Sequence, residues 1–242
     1  MTIQARVAKK LRSMFSKNTF RSRIDSRGNE IRYSGKSDLN IKVSFRGEGN
    51  LLIVDADARA GEIEIQFDCS QGRVEIGKGR KGLTPFSGFI RVGQDSTVKI
   101  GDFCSTTSPA LVSAVEGTSV ILGNDCMLAS EVQLRSDDGH PIFEVSTGKR
   151  VNVSQSITVG SHVWLGWGVV VLGGVTIGDG AVLGVRSVVT KDVPNNVIAV
   201  GSPAKVVKTD IAWERPHLSL KQPFYKPDAS TITKSEFWHK TK

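Results

Sequence analysis

The chain has 242 residues, 25 of them glycine, and only 7% are aromatic, which suits one domain with a thin core and many tight corners, plus terminal arms. Its formal charge is +8, from 32 Lys and Arg against 24 Asp and Glu, yet residues 1–36 alone hold ten basic and two acidic residues, so the remainder balances. No apolar run reaches the roughly 18 residues of a membrane span. The N-terminus also lacks the uninterrupted apolar core of a secretory signal, so a cytoplasmic protein is expected. The three cysteines show no CxxC or Cys/His spacing, which argues against zinc and disulfides. No metal and no nucleic-acid partner are expected.

Residues 1–36 read as a basic N-terminal arm. Within it, residues 2–17 place Ile3, Val7, Leu11 and Met14 on one helical stripe, with Arg6, Lys9, Lys10, Arg12 and Lys17 around it. Such a helix packs on the rest of the molecule or on a neighbouring subunit; the second reading is peripheral contact with a membrane's anionic lipid, at its inner face, or with a polyanionic glycan. Residues 18–36 read as a polar connector.

From about 39 to 77, alternating apolar segments recur near every tenth residue: Ile41–Phe45, Leu51–Val54, Ile63–Phe67 and Val74–Ile76. They read as the irregular first coils of a solenoid, or as a small separate sheet. From residue 90 the period becomes six. Ile100, Thr106 and Val112 are in phase, a turn at Glu116–Ser119 breaks the count, and Leu122, Leu128 and Leu134 restore it. Cys104 and Cys126 follow Ile100 and Leu122 by four residues and read as small buried residues of the repeat; Cys69 is read the same way, within an alternating strand.

Residues 135–156 are polar and lack the repeat, so one loop protrudes there. Residues 157–208 then carry an aliphatic residue at every sixth position: Val159, Leu165, Val171, Ile177, Leu183 and Val189. Two residues ahead stand Ile157, Val163, Val169, Val175, Ala181 and Ser187, and glycine follows the main position at 160, 166, 178 and 184. A helix repeats near 3.6 residues and one long strand near 2, so neither fits. Very short strands that turn a corner after each hexad do fit, with glycine expected at positive φ in the corners. The prediction is an all-β chain, a parallel β-helix over residues 37–208 in which stacked coils bury one continuous core. The tail, residues 209–242, contains Trp213, Phe224, Tyr225 and Trp238 and reads as a cap on the unpaired strand edges at the solenoid's end.

Two residues stand out chemically. His140 lies in the protruding loop, in Ser136-Asp137-Asp138-Gly139-His140-Pro141-Ile142. A lone loop histidine is by default a solvated side chain. Here two carboxylates precede it and are placed to orient the ring or raise its basicity, and insertions in solenoids tend to carry function. Trp164 stands beside inward Leu165 and points outward, where an indole has no core to fill; subunit packing is the bland reading. His162 reads as structural, and His217 and His239 have no motif around them.

The repeat at 157–208 resembles the hexapeptide-repeat acyltransferases, and the likeness extends over roughly residues 75–208. The resemblance implies a triangular, left-handed coil of three hexads and a homotrimer. The Ser-Asp-x-His-Pro-Ile type segment resembles the sugar O-acetyltransferases of that family. Paired with the Val-Trp-Leu-Gly motif at 163–166, it is similar to the capsular polysialic acid O-acetyltransferases, which implies His140 and Trp164 as catalytic partners. It further implies acetyl-CoA in an outer groove between two subunits. Gly166 and Trp167 would line its pantetheine arm, Val185 and Thr190 would offer backbone contacts, Lys191 and Lys205 would lie near its phosphates, and Pro203 would shape the wall. The chain departs from the family at Trp167 and Arg186, where small residues are usual.

The implied reaction moves an acetyl group from a thioester to a sugar hydroxyl of a bacterial surface glycan. It needs a base to take the hydroxyl proton, which an imidazole with an ordinary pKa of about 6.5 can do, and a donor for the oxyanion. The indole N–H is a candidate donor to that oxyanion or to the sulfur. Competing readings are a small-sugar acetyltransferase, a non-catalytic scaffold, and a γ-type carbonic anhydrase, whose three-histidine spacing is missing.

Overall fold

A computed structural model describes residues 20–241. The helix expected over residues 2–17 lies outside the described residues. The apolar alternation folds the chain into short parallel strands stacked on three faces. The first face holds Glu30–Tyr33, Leu51–Val54, Arg73–Ile76, Thr97–Ile100, Ser119–Leu122, Ile157–Val159 and Thr176–Ile177, with Arg23–Ile24 antiparallel at its edge. The second holds Ser105–Thr106, Met127–Leu128, Trp164–Leu165, Val182–Leu183 and Ile198–Val200, ended by antiparallel Lys205–Lys208. The third holds Ile41–Phe45, Ala60–Phe67, Phe86–Val92, Ala110–Ala114, Gln133–Arg135, Val170–Leu172 and Val188–Val189. From Thr97 onward the chain visits first, second and third face in turn, so each trio makes one coil of a left-handed parallel β-helix.

The period of six survives because each hexad sends its main aliphatic residue inward. Leu122, Leu128, Leu134, Val159, Leu165, Val171, Ile177, Leu183 and Val189 are all buried, as are Ile157, Val163, Val169, Val175, Ala181 and Ser187 two residues ahead. The backbone groups of each strand bond to the coils above and below, which satisfies them without a helix or a second sheet.

Residues 39–77 belong to the same stack and form no separate sheet. Ile41–Phe45 pairs in register with Ile63–Phe67, and Leu51–Val54 with Arg73–Ile76. Among the described residues no strand lies on the second face before Ser105, so these early coils carry two strands per turn rather than three, which gives the longer spacing. The stack also starts before residue 37. Glu30–Tyr33 pairs with Leu51–Val54, Ile31 and Tyr33 are buried, and the Tyr33 hydroxyl donates to Ser37 O at 2.8 Å. The polar composition of 18–36 hides this inward pair.

Two local expectations change. Positive φ falls not at Gly160, Gly166, Gly178 and Gly184 but two residues later, at His162 (55°), Gly168 (67°), Gly180 (68°) and Arg186 (58°). The earlier glycines are needed for close approach between coils: a Cβ on Gly160 would lie 2.8 Å from the Asp179 backbone nitrogen, and one on Gly166 2.7 Å from Leu183 O. Cys104 and Cys126 are buried, but Cys69 is exposed, because it falls after the strand Ala60–Phe67, on a corner.

The tail does not simply cover the last coil. It runs along the corner between first and second faces, meeting Asn196, His162, Asp125 and Phe103 of successive coils. No helix among the described residues is long and apolar enough to cross a membrane.

Candidate active site

The protruding loop leaves the third face at Arg135 and rejoins the first at Ile157. Its feet are tied by Gln155 N donating to Ser136 O at 3.0 Å. The two carboxylates before His140 do not hold its ring in this structure; they hold the loop and its base. Asp137 is buried and accepts from Ser113 Oγ at 2.6 Å and from Gly139 N at 2.8 Å. Asp138 Oδ2 accepts from Asn152 Nδ2 at 2.9 Å. The same amide donates to His140 O at 2.9 Å, while Asn152 Oδ1 accepts from Ile142 N at 2.6 Å. A Phe143–Arg150 antiparallel bridge closes the hairpin.

The loop is pinned to the prism through Arg150, whose guanidinium donates to Glu116 Oε1 at 2.5 Å, while Ser154 Oγ donates to Oε2 at 2.6 Å. The Arg150 bond, helped by Ser154, holds the Glu116 carboxyl well below its usual range, at about 2. His140 is exposed and lines a cavity of about 260 Å3 with Asp68, Cys69, Arg91, Glu116 and Ser154. Beyond it the tip presents Ile142, Phe143 and Val145 to solvent.

Trp164 lies on the second face, 38% exposed, between the backbones of Met127 and Val182. His140 lies at the vertex between third and first faces. In a three-sided coil that vertex is opposite the second face. The loop leaves the coil of Met127 and Gln133 and enters the coil of Ile157 and Trp164, and it folds back so that His140 lies against the corners of earlier coils, beside Asp68, Arg91 and Glu116. One protomer therefore holds them on opposite sides of the prism, and does not bring them together.

The residues assigned to a CoA groove divide in two. Gly166, Trp167, Val185 and Pro203 stack on the corner between second and third faces, where Trp167 is 38% and Val185 64% exposed. Arg186 lies over the Trp167 ring at 4.0 Å and 3.8 Å from Glu131, so the two residues that depart from the family pattern form one stacked pair. Thr190 and Lys191 sit beyond Val188–Val189, on the opposite edge of the third face, and Lys205 opens the antiparallel strand of the second face. Among the described residues no group of three or more His, Cys, Asp or Glu is arranged to hold a metal ion. Arg150, Asn152, Glu116 and Ser113 were not marked by spacing or motif; their partners stand far away in sequence, so only the carboxylates near His140 hinted at support for the loop.

No protein-family model matches the chain. A polysialic acid O-acetyltransferase of Escherichia coli O1:K1 / APEC is 38% identical over 139 residues, 52% of this chain and 45% of that protein. The galactoside O-acetyltransferase of Escherichia coli (strain K12) is 40% identical over 97 residues, 40% of this chain and 47% of that protein. The chain thus spans about half the length of the curated relatives it matches. The crystal structure of the polySia-specific acetyltransferase NeuO superposes with a TM-score of 0.69 at 34% identity, covering 79% of this chain and 88% of that one. A relative 34% identical, with 88% of its length covered, shows the lineage: the chain belongs to the hexapeptide-repeat acetyltransferase family.

Proposed function

We propose that the chain is an O-acetyltransferase that moves an acetyl group from acetyl-CoA to a sugar hydroxyl of a bacterial surface glycan, with active sites between the subunits of a homotrimer. The observation that carries this reading is the placement of His140 and Trp164 on opposite sides of the prism, where one protomer does not join them. A neighbouring prism with a parallel axis lays its loop against the second face, so His140 of one protomer meets Trp164 of the next. The apolar loop tip, exposed in a single chain, gains cover in the same step.

The corner formed by exposed Trp167 and Val185 with Pro203 fits an extended, largely apolar pantetheine arm, and Gly166 lets the coils close beneath it. Lys205 is placed to meet phosphates at that side, whereas Thr190 and Lys191 are served by a neighbouring subunit or take no part. Acetyl-CoA supplies an activated acyl carbon and a thiolate leaving group. His140 accepts the hydroxyl proton as the sugar oxygen attacks that carbon, and returns it to sulfur as the C–S bond breaks. Trp164 offers its indole N–H to the sulfur or to the developing oxyanion. The polysialic acid relative favours an acidic surface glycan as acceptor. The galactoside relative favours the second reading, a small free sugar.

The test uses variants of the full chain. His140→Ala is expected to stay folded and trimeric by light scattering while losing acetyl transfer at least about a hundredfold. Trp164→Ala loses activity as well. Mixed trimers refolded from both variants regain activity, since about a quarter of randomly mixed interfaces then carry an intact pair. Activity of His140→Ala within a few-fold of wild type, or no recovery on mixing, refutes the proposal. A panel of nucleotide-sugars, oligosialic acids and capsular fragments with labelled acetyl-CoA separates the two acceptor classes.

A further inference from the structure

Trp164 has its wall built by the far end of the chain. Its strand is two residues long, Leu165 takes the inward position, and its ring stands outside the core. An outward indole on such a strand has several staggered rotamers open to it. Trp213 narrows that choice: its ring lies 5.8 Å from the Trp164 ring at an interplanar angle of 47°.

Trp213 is itself fastened with unusual thoroughness. His162, two residues before Trp164, is 1% exposed and carries the left-handed corner. Trp213 stacks on its ring at 4.1 Å and 14°, and Phe237 at 4.7 Å and 4°. The ring edge is engaged as well, Nδ1 with Asp125 Oδ2 at 2.7 Å and Nε2 with Trp213 O at 2.9 Å. In return Trp213 Nε1 donates to His162 O at 2.9 Å. Arg215 locks the segment by donating to Asp125 Oδ1 at 2.9 Å, Ser105 Oγ at 2.9 Å and Asp125 O at 2.7 Å. Glu214 accepts from Ser235 N at 2.7 Å and Trp238 Nε1 at 2.8 Å, which ties the tail to itself. Residues 213–215 thus grip three coils at one corner, more than is needed to finish the last coil, which lies well below them.

We propose that Trp213, held by His162, Asp125 and Arg215, is a positioning residue that fixes the indole of Trp164 for acyl transfer. The inference rests on the proposed catalytic role of Trp164. A reacting group displaced by about 1 Å costs on the order of a hundredfold in rate, so loss of this wall acts on turnover rather than on binding of the donor.

The experiment labels the full chain, which has four tryptophans, with 5-fluorotryptophan and assigns the Trp164 resonance through Trp164→Phe. In Trp213→Ala the Trp164 line is expected to shift and broaden. Its kcat is expected to fall about tenfold or more, while the KM for acetyl-CoA stays within roughly twofold and Trp213→Phe recovers most of both signals. Arg215→Gln, which keeps the Trp213 ring but removes the guanidinium 5.9 Å over it, moves both in the same direction by less. A Trp164 line unmoved in Trp213→Ala, with kcat within twofold of wild type, overturns the proposal. If wild type itself transfers no acetyl group, the proposed function fails while the fluorine line still decides the clasp. If Trp213→Ala does not fold by circular dichroism, the same readouts on Arg215→Gln decide it, and no change in either overturns it.

Discussion

Residues 157–208 and residues 135–156 adjoin in sequence and obey different physics. The first segment repeats one solution, an inward aliphatic residue every sixth position, and its stability is burial summed over coils. The second has no inward series. It holds its shape through single polar contacts, Asp137 to Ser113, Asn152 to Asp138, and Arg150 to Glu116, and leaves Phe143 and Val145 in solvent. The prism is redundant and strong, the loop specific and weakly held. Changes in the first should be read in stability, and changes in the second in the geometry of His140.

The largest effect that tests this contrast is in the core. Leu183→Ala removes a fully buried side chain. It should cost about 2–5 kcal/mol in chemical denaturation; a loss under ~1 kcal/mol would show that the coils re-pack freely. Gly160→Ala comes next, since its Cβ would lie 2.8 Å from the Asp179 backbone nitrogen. Overpacking of this kind costs roughly 1–3 kcal/mol, and a melting temperature equal to wild type would remove the close-approach account of that glycine.

Arg150→Ala should invert the pattern. The ion pair it breaks is at the surface and screened by solvent, so melting should barely move. Acetyl transfer should fall roughly tenfold, because the loop that carries His140 loses its pin. Unchanged turnover would show that the hairpin holds its own shape. Acid should do the same reversibly. The Glu116 pKa is depressed from 4.5 to about 2, so its contribution is complete above 4.5 and is lost as pH falls through about 2. Between pH 5 and 8 that anchor does not titrate, and any activity change there lies elsewhere.

The smallest effect belongs to the tail clasp. Burial alone would lower the His162 pKa, but the Asp125 carboxylate and the Trp213 carbonyl outweigh it and raise it above 6.5. Burial likewise opposes ionisation of Asp125, yet the bonds from His162 and Arg215 hold its carboxyl below 3.8. Glu214, Arg215, Lys234, Glu236 and Lys240 of the tail, with Arg80 and Asp179 of the coils, are the other charges facing this corner. The His162 contribution is fully present below pH 6.5 and is lost as pH rises through its raised pKa. The Asp125 contribution is present above 3.8 and is lost on acidification. The protection factors of amides in residues 211–215, from which the intrinsic base-catalysed rise in exchange is divided out, should therefore be highest between these limits and fall on the alkaline side; protection that does not change up to pH 9 would refute the His162 part of the clasp.

Much of the prism was legible because its physics is local. A coil needs one inward side chain per hexad, so the period itself names the buried set, and the outward slot of Trp164 follows from inward Leu165 by alternation. His140 was legible only as the polar centre of the one break in the repeat. The carboxylates beside it invited the wrong partner: they support the loop backbone, because Ser113, Gly139 and Asn152 reach them first.

The amino-acid order alone therefore determined the repeat, the β-helix, the site of the excursion and the two side chains left over from packing. Tertiary structure decided everything that depends on which corner lies above which. A repeat makes successive coils equivalent, and only their stacking, with early coils of two strands and later ones of three, sets Arg150 against Glu116 at a sequence separation of 34 and Trp213 against His162 at 51. It alone places His140 at the vertex opposite the face of Trp164. Sequence periodicity carries the burial of each residue, whereas the meeting of residues from different coils depends on coil length and on the path of the tail, neither of which has a period.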